Sequence, residues 1–355
     1  MSEKGRLSEV RAQIAELDRA VARSLEERAA LSKSIRSLAE AGGFVAEFDR
    51  DPLKFIDELP EGPLSKDALR AIFAQVTAAG RSLERPIRVA YVGATGGFCH
   101  LMARLHFGTA ANLVECATVA DALEEVKRQR STLCVFPFES SVDGLILPAI
   151  FALAETDLVL VAERTLPAML NLMSATGSAG PIEKIYGSSL SHAASERFRK
   201  REYPRAEVLD VRSPSEAAKA AKGDPTSAAV VPEATGREAG LEIVKESVGD
   251  EADLRSRYGV VGARPASRTG SDTTALLFSL DDAPGTLFQV LGHFAERGIN
   301  LKKIQSRPVR GASWDYIFYV EVAGHNTDRA VVTALGAVKG STKYLKLLGS
   351  FPNES

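Results

Sequence analysis

The 355 residues carry little cysteine, one tryptophan, almost no net charge and no long apolar run, and each shortage excludes a class of function. Three cysteines, Cys99, Cys116 and Cys134, cannot all pair and have no metal-ligand spacing. Each lies in or beside an apolar stretch, which predicts buried free thiols rather than a disulfide frame or a metal site. Forty-four basic residues against forty-six acidic ones leave a formal net charge of −2, so there is no global basic field for nucleic acid. No Lys/Arg-rich face with interleaved aromatics replaces it. No stretch stays apolar for the roughly 20 residues of a membrane span. The N-terminus, Met1-Ser-Glu-Lys-Gly-Arg6, enters an amphipathic pattern instead of an apolar leader, so a cytoplasmic protein that avoids membranes is expected.

The chain is too long for one ordinary core, and two or three domains are expected. In the first 85 residues, Leu7, Val10, Ile14, Leu17, Val21, Ser24, Arg28, Leu31, Ile35 and Leu38 repeat at alternating steps of three and four. That spacing is the seam of one helix about 50 Å long that packs on other helices. Arg28 on this face needs an anion or a salt bridge to a neighbouring helix, because an unpaired buried charge is worth several kcal/mol of destabilisation (about 3–5). Gly42-Gly43 ends the helix. Asp51-Pro52 reads as an N-cap with proline at N1, opening a short helix through Leu59, and Ser65 caps a third helix with Leu69, Ile72, Phe73 and Val76 as its stripe. A first helix this long suggests a homodimer, or a higher homo-oligomer, that shares the three helices.

The segment Val89-Ala-Tyr-Val-Gly-Ala-Thr-Gly-Gly-Phe-Cys-His-Leu-Met-Ala103 reads as strand, glycine turn and helix start. Gly93, Gly96 and Gly97 remove the Cβ atoms that would keep an anion from the backbone, and the helix N-terminus beyond them offers free N–H groups. The turn lacks the spacing of a dinucleotide fingerprint and the Lys-Ser/Thr of a P-loop, so no cofactor is predicted. Strands at Ile87–Val92, Leu113–Cys116, Leu133–Phe136, Leu158–Val161, Lys184–Tyr186, Val208–Val211, Ala228–Val231, Ile243–Lys245 and Tyr258–Val261 alternate with helices, a parallel-rich α/β arrangement. Leu133–Ser141 and Ala228–Gly236 form an approximate repeat of strand, proline, glutamate and polar turn, as if two similar lobes flank a cleft.

These segments carry three resemblances in order. Residues 1–85 resemble the helical chorismate mutase domain that opens bifunctional chorismate mutase/prephenate dehydratases. The resemblance puts Arg11 and Arg28 at the arginines that clamp the carboxylates of chorismate and Arg50 at a further arginine. Asp51 replaces a glutamate, and Glu84 falls where the family carries Gln or Glu. Ala39 stands where a lysine meets the ether oxygen, and Lys33 and Arg36 are rotated away from that face, so a weakened mutase is implied.

Residues 86–267 resemble prephenate dehydratase, whose two lobes are built like those of a periplasmic binding protein with prephenate between them. Its signatures correspond to Tyr91–Ala103, Pro137-Phe-Glu-Ser-Ser-Val-Asp-Gly144 and Arg255-Ser-Arg-Tyr-Gly-Val-Val261. Gly97, Phe98 and Cys99 each lose a hydroxyl present in the family motif, and Ser140 replaces an asparagine beside Glu139 and Ser141. The family's Thr-Arg-Phe is Ser256-Arg257-Tyr258 here. Losing CO₂ and a ring hydroxyl together needs a hydrogen-bond donor on the departing hydroxyl, expected from Ser256. It also needs cationic or N–H partners for the side-chain carboxylate, expected from Arg257 and the 93–98 backbone. Glu139 and Ser141 are lesser candidates, since such a glutamate also serves as a helix cap, and His100 reads as structural.

Residues 268–355 run strand, helix, strand, strand, helix, strand, a ferredoxin-like βαββαβ unit. Pro284-Gly-Thr-Leu287 and Asn300-Leu-Lys-Lys-Ile-Gln-Ser-Arg-Pro308 resemble the ACT regulatory domain, where phenylalanine binds at a dimer interface. Gly285, Thr286, Leu287, Asn300, Gln305, Ser306 and Arg307 are the implied effector contacts, with Gln305 in place of a glutamate. Together the resemblances imply a cytoplasmic, phenylalanine-responsive prephenate dehydratase of L-phenylalanine biosynthesis, acting on prephenate and in lesser degree chorismate. The rival expectation is a catalytically silent paralogue that binds aromatic ligands as a regulator.

Overall fold

A computed structural model describes residues 3–42, 53–84, 87–108, 111–142, 144–177, 181–251, 254–308 and 316–353. The expectations at Arg50 and Asp51 lie outside the described residues, as do the side chains at Ala39 and Glu84. The chain falls into two compact units, one of Met1–Ile87 with Arg104–Asn112, the other of Arg88–Ala103 with Leu113–Ser355.

In the first unit, α1 (Glu3–Gly42) and α2 (Lys66–Glu84) pack on each other. Ser65 caps α2 by accepting the Ala68 N–H at 3.2 Å. The helix expected after Asp51-Pro52 is instead a single 3₁₀ turn, Lys54–Ile56. Pro60, Gly62 and Pro63 follow it closely, so the segment is too short to repay helix nucleation, and it is fixed by Ile56, fully buried, and by Phe55 set edge-on to Phe73 at 5.2 Å. The α1 seam is present, but Leu7, Val10, Ile14, Leu17 and Val21 are each more than half exposed. Arg28 is met by neither an anion nor a salt bridge in its described contacts. Its Nη1 donates to the Val76 carbonyl of α2 at 3.1 Å, beside Gly80, where a Cβ would sit 2.5 Å from that nitrogen.

The chain continues with β1 (Arg88–Val92), α3 (Phe98–Phe107), β2 (Asn112–Cys116), α4 (Val119–Lys127), β3 (Leu133–Ser140), β4 (Gly144–Leu145), α5 (Leu147–Ala154) and β5 (Val159–Pro167). The chain then crosses to a second lobe of β6 (Asn171–Ser174), β7 (Lys184–Gly187), α6 (Ser189–Ala193), α7 (Glu196–Glu202), β8 (Glu207–Asp210), α8 (Pro214–Gly223), β9 (Ser227–Val231), α9 (Glu233–Glu238) and β10 (Glu242–Lys245). It returns as β11 (Arg255–Gly262), and the two crossings lie side by side where Ala168 N–H donates to Leu254 O at 2.7 Å. The terminal unit is β12 (Asp272–Ser279), α10 (Thr286–Ala295), β13 (Leu301–Pro308), β14 (Tyr316–Ala323), α11 (Arg329–Gly340) and β15 (Tyr344–Pro352), the expected βαββαβ order.

The sheets are mixed where the alternation of strands and helices predicted a parallel-rich fold. β11 is antiparallel to both β3 and β5, and β6 is antiparallel to β9 and β10, while β1–β3, β7–β8 and β7–β9 are parallel. The reason is that the returning strand inserts between two strands already laid down. The repeat also diverges: Pro232-Glu233 opens α9, whereas Pro137-Phe-Glu139 continues β3, so Glu139 is a strand residue and caps no helix.

One ten-stranded sheet runs β13-β14-β12-β15-β5-β11-β3-β1-β2, with β4 on β3. The first lobe and the terminal unit therefore share a sheet and one core, in which Phe136, Phe138, Ile150 and Leu160 pack with Leu277, Tyr319, Leu348 and Phe351. The seam is the parallel pairing of Gly349 with Leu160. Gly349 has φ +146°, and a Cβ there would lie 2.2 Å from the Leu160 carbonyl oxygen. Gly349→Val should lower stability by about 2–3 kcal/mol, measured as a shift of the urea midpoint, because this approach leaves nowhere for the side chain.

The second lobe has its own five-stranded sheet, β10-β6-β9-β7-β8, with apolar clusters on either side. Within it His192 is 6% exposed; its Nε2 lies 3.1 Å from Leu209 O and its Nδ1 is buried with no hydrogen-bond partner. Burial lowers its pKa from the ordinary value, outweighing the Leu209 contact, with Arg199 lowering and Asp210 raising it further. The unfolded chain thus takes up this proton first, near pH 6.5, so the contribution is full above that pH and is lost as pH falls below it. Urea midpoints measured from pH 8 down to pH 5 should decline, and His192→Gln should flatten the decline.

Candidate active site

The glycine turn follows β1 as expected, with Gly93 and Gly96 at φ +98° and +82° and α3 opening at Phe98. Most of its N–H groups serve the fold. Gly93 N–H donates to Cys116 O at 2.9 Å, Thr95 N–H to Glu115 Oε2 at 3.1 Å, Gly96 N–H to His100 Nδ1 at 3.2 Å and Gly97 N–H to Ala94 O at 3.0 Å. His100 is thereby structural, its ring set 5.1 Å from that of Tyr91. What remains for a ligand anion is the start of α3, where the N–H groups of Phe98 and Cys99 have no partner inside the helix.

The second lobe reaches this turn directly. Thr235 Oγ1 on α9 donates to Gly96 O at 2.7 Å, and Ser215 N–H on α8 approaches Thr95 O at 3.4 Å. A Cβ on Gly96 would lie 2.3 Å from Ser215 Oγ, so the glycine is needed for the two lobes to meet.

Ser256 and Arg257 both lie on β11, which starts three residues before the strand expected at Tyr258. Consecutive strand residues face opposite ways, and the two do so here. Ser256 pairs with Ser140 on β3 and with Leu166 on β5. Ser256 and Tyr258, two residues apart on β11, share the face that also carries Val260. The register partner of Val260 is Val135, whose carbonyl accepts the Cys99 thiol of α3 at 3.3 Å. Burial raises the Tyr258 pKa, so the phenol stays protonated. Ser141 Oγ accepts the Arg255 N–H at 3.0 Å, which ties the loop after β3 to the start of β11.

The other face holds a cluster of charges. Arg257 grips Glu321 of β14 with both nitrogens, Nη1 to Oε1 at 2.6 Å and Nη2 to Oε2 at 3.0 Å; Nη1 also meets Glu139 Oε2 at 3.0 Å and Nη2 meets Glu163. Lys303 of β13 binds the other Glu139 oxygen, and Tyr319 donates to Glu321 Oε1 at 2.6 Å. The guanidinium carbon stands 5.0 Å over the Phe138 ring. Burial alone would lower the Arg257 pKa, but the hydrogen bonds and charge of Glu321, with the charge of Glu163, raise it instead. Arg257, expected at a substrate carboxylate, and Glu139, expected in the chemistry, here have Glu321, Glu163, Lys303 and each other as partners. Both are committed to a joint between the first lobe and the terminal unit.

The terminal-unit residues divide in the same way. Gly285 caps α10 with φ +84°, and Thr286 Oγ1 donates back to Asp281 O and Ala283 O. Leu287 packs on the core of that unit, and Asn300 O accepts the Ala323 N–H at 2.9 Å. On β13, Gln305 Oε1 accepts the Leu145 N–H at 3.3 Å and Arg307 Nη2 lies 3.1 Å from where a Gly144 Cβ would be, so both face β4, while Ser306 is exposed on the opposite side. Gln305, one of the implied effector contacts, thus has its side-chain carbonyl engaged by the β4 backbone. In the helical unit Arg11 is exposed on α1 and Arg28 faces α2.

Sequence reasoning missed Glu115, which accepts from Thr95 N–H, Thr95 Oγ1 at 3.0 Å and Tyr91 OH at 3.4 Å, and it missed Thr235 and Ser215. It also passed over Glu163, Lys303 and Glu321. The one available signal was an unusual acidic residue, Glu321, inside the apolar run Tyr316–Ala323. The cysteines are free and buried as expected, and burial pushes the Cys99 thiol up to about 12, which leaves no nucleophile at neutral pH. Among the described residues no group of His, Cys, Asp and Glu is placed to hold a metal, and no helix is long and apolar enough to cross a membrane.

A family model described as prephenate dehydratase matches residues 89–266, and one described as ACT domain matches residues 274–340. A bifunctional chorismate mutase/prephenate dehydratase of Aquifex aeolicus is 34% identical over 98% of this chain and 98% of its own length. One of Neisseria gonorrhoeae is 31% identical over 95% and 94%. Among solved structures, the prephenate dehydratase of Arthrobacter aurescens in complex with L-Phe superposes with a TM-score of 0.61 at 27% identity, covering 75% of this chain and 90% of that one. Two family models in this order, with such relatives over nearly the whole length, place the chain in the prephenate dehydratase family, in its bifunctional chorismate mutase/prephenate dehydratase branch.

Proposed function

We propose that residues 86–267 convert prephenate to phenylpyruvate, carbon dioxide and water between the two lobes, as a step of L-phenylalanine biosynthesis. The observation that carries this reading is the placement of Ser256 at the start of β11, in register with Ser140, on the same face as Tyr258 and beside the crossing that joins the lobes. In the reaction the bond from the ring to its carboxylate breaks to release carbon dioxide, that electron pair completes the aromatic ring, and the opposite hydroxyl leaves as water with one proton taken up from solvent. Ser256 hydrogen-bonds the departing hydroxyl, and the protonated Tyr258 phenol orients Ser256 and supports it as charge develops. The side-chain carboxylate sits at the N-terminus of α3, next to Gly96 and Gly97. Ser140, which pairs with Ser256, and Ser141 hold the opposing strand end. No cofactor enters this scheme.

Residues 268–355 take L-phenylalanine as effector around Gly285–Leu287 and β13, in line with the L-Phe complex of the Arthrobacter relative. Residues 1–85 are a chorismate-mutase-like helical domain. A second copy of the chain covers its exposed α1 seam, and its rate is reduced because Ala39 supplies no cation to the ether oxygen. Purified protein given prephenate and chorismate separately, with phenylpyruvate followed in time, tests both statements. Prephenate should be turned over readily and chorismate slower by about 10² or more. Absence of phenylpyruvate from prephenate would leave an aromatic-ligand-binding regulator instead.

A further inference from the structure

The charge cluster on the far side of β11 has a composition that packing alone does not explain. Three carboxylates, Glu139, Glu163 and Glu321, surround Arg257 and Lys303, with side-chain exposures between 6% and 23%. Apolar residues of similar volume would join the two parts of this sheet at least as well, since desolvating ions offsets most of their attraction. What an ion cluster adds is definite geometry: a bidentate guanidinium fixes its partner in distance and angle. Here it fixes the site strands from outside. Glu139 is the residue before Ser140 and Arg257 the residue after Ser256, and Ser140 and Ser256 are register partners. The two groups that hold Glu139 and Arg257 from the terminal unit are Lys303 and Glu321, register partners of each other on β13 and β14. Gln305 and Arg307, further along β13, face the β4 backbone that pairs with Glu139 and Ser140.

We propose that Lys303 and Glu321 are positioning residues for the dehydratase site. Through Glu139 and Arg257 they set the strand ends that carry Ser140 and Ser256, so a ligand-driven shift of β13 is passed to the Ser256 hydroxyl without a change at the lobe cleft. The idea rests on the proposed dehydratase and effector roles, and it deepens them by naming the link between the two sites. A displacement of the order of 1 Å at a reacting group is enough to change a rate about 10²-fold, so a small movement at β13 suffices.

The test uses the full chain as wild type, Lys303→Met, Glu321→Gln and Lys303→Arg. Four quantities are measured on each: kcat and KM for prephenate, phenylalanine affinity by calorimetry, the response of turnover to phenylalanine, and amide hydrogen exchange along β3 and β11. Lys303→Met and Glu321→Gln should lower kcat by about tenfold or more with KM little changed. They should still bind phenylalanine yet lose the response, and they should exchange faster at Glu139–Ser140 and Arg255–Arg257. Lys303→Arg should restore all of these. Unchanged exchange and an unchanged phenylalanine response in both variants would overturn the proposal, as would exchange that rises evenly over the whole unit with no rescue by arginine. A wild-type chain that turns over no prephenate removes the dehydratase reading by itself. The exchange pattern and its rescue then still decide whether Lys303 and Glu321 position the strand pair.

Discussion

Ser256→Ala should lower kcat for prephenate by about 10²–10³ while prephenate still binds, because it removes a donor whose partner gains charge only as the ring hydroxyl departs. Equilibrium titration of prephenate set beside steady-state rates separates the two effects. The substitution is mild for the fold, since Ser256 is the second residue of its strand and alanine keeps the strand backbone pairing. Tyr258→Phe, which restores the family's phenylalanine, should have a smaller effect, because Ser256 keeps its own hydroxyl and loses only the orienting partner. A Ser256→Ala enzyme with the wild-type rate would remove this residue from the chemistry.

Arg257→Met should have the largest effect on stability, a loss of about 3–5 kcal/mol, because it strands three mostly buried carboxylates against a single remaining lysine. The urea midpoint should fall accordingly, and the joint between the first lobe and the terminal unit should loosen first. In the fraction that remains folded, prephenate affinity should be close to that of wild type, since the guanidinium faces away from the lobes. Arg257→Met with Glu139→Met should be less destabilised than the sum of the single changes, because the second substitution removes a carboxylate that the first left unpaired. A stable Arg257→Met protein with strongly weakened prephenate binding would return this arginine to the substrate.

The order of elements and the glycine turn were legible because they depend on local signals. Period-two and period-3.6 patterns, the Ser65 cap and the glycines at positive φ are written in adjacent residues. The roles of Ser256 and Arg257 were not separable on those grounds. With the strand expected to begin at Tyr258, both residues lay in a loop and were free to converge on one ligand, whereas β11 begins at Arg255 and forces them onto opposite faces. Arg257 has its partners at sequence separations of 64 to 118 residues, and no local pattern reports a pairing of that range. Glu139 was misread for a related reason. Proline followed by glutamate opens a helix at Pro232-Glu233 and continues a strand at Pro137–Glu139, where the β11 and β4 pairings decide.

The short helix expected after Asp51 failed because prolines and a glycine close behind it leave no room for hydrogen-bonded turns, a cost that capping signals alone do not reveal. Glu321 illustrates the converse. A single carboxylate within an apolar strand is a weak signal in sequence, and it becomes informative once β14 lies beside β12 and the ten-stranded sheet brings it to Arg257. The same continuity makes Gly349 decisive, although in sequence it is one glycine among 28.

The most direct measurement is a crystal structure of the Ser256→Ala chain with prephenate bound. The ligand should lie between the lobes, its side-chain carboxylate at the start of α3 and its ring hydroxyl over residue 256, with Arg257 still clasping Glu321. A prephenate carboxylate found on the Arg257 guanidinium, or a ligand seated away from Gly93–Gly97, would contradict this placement.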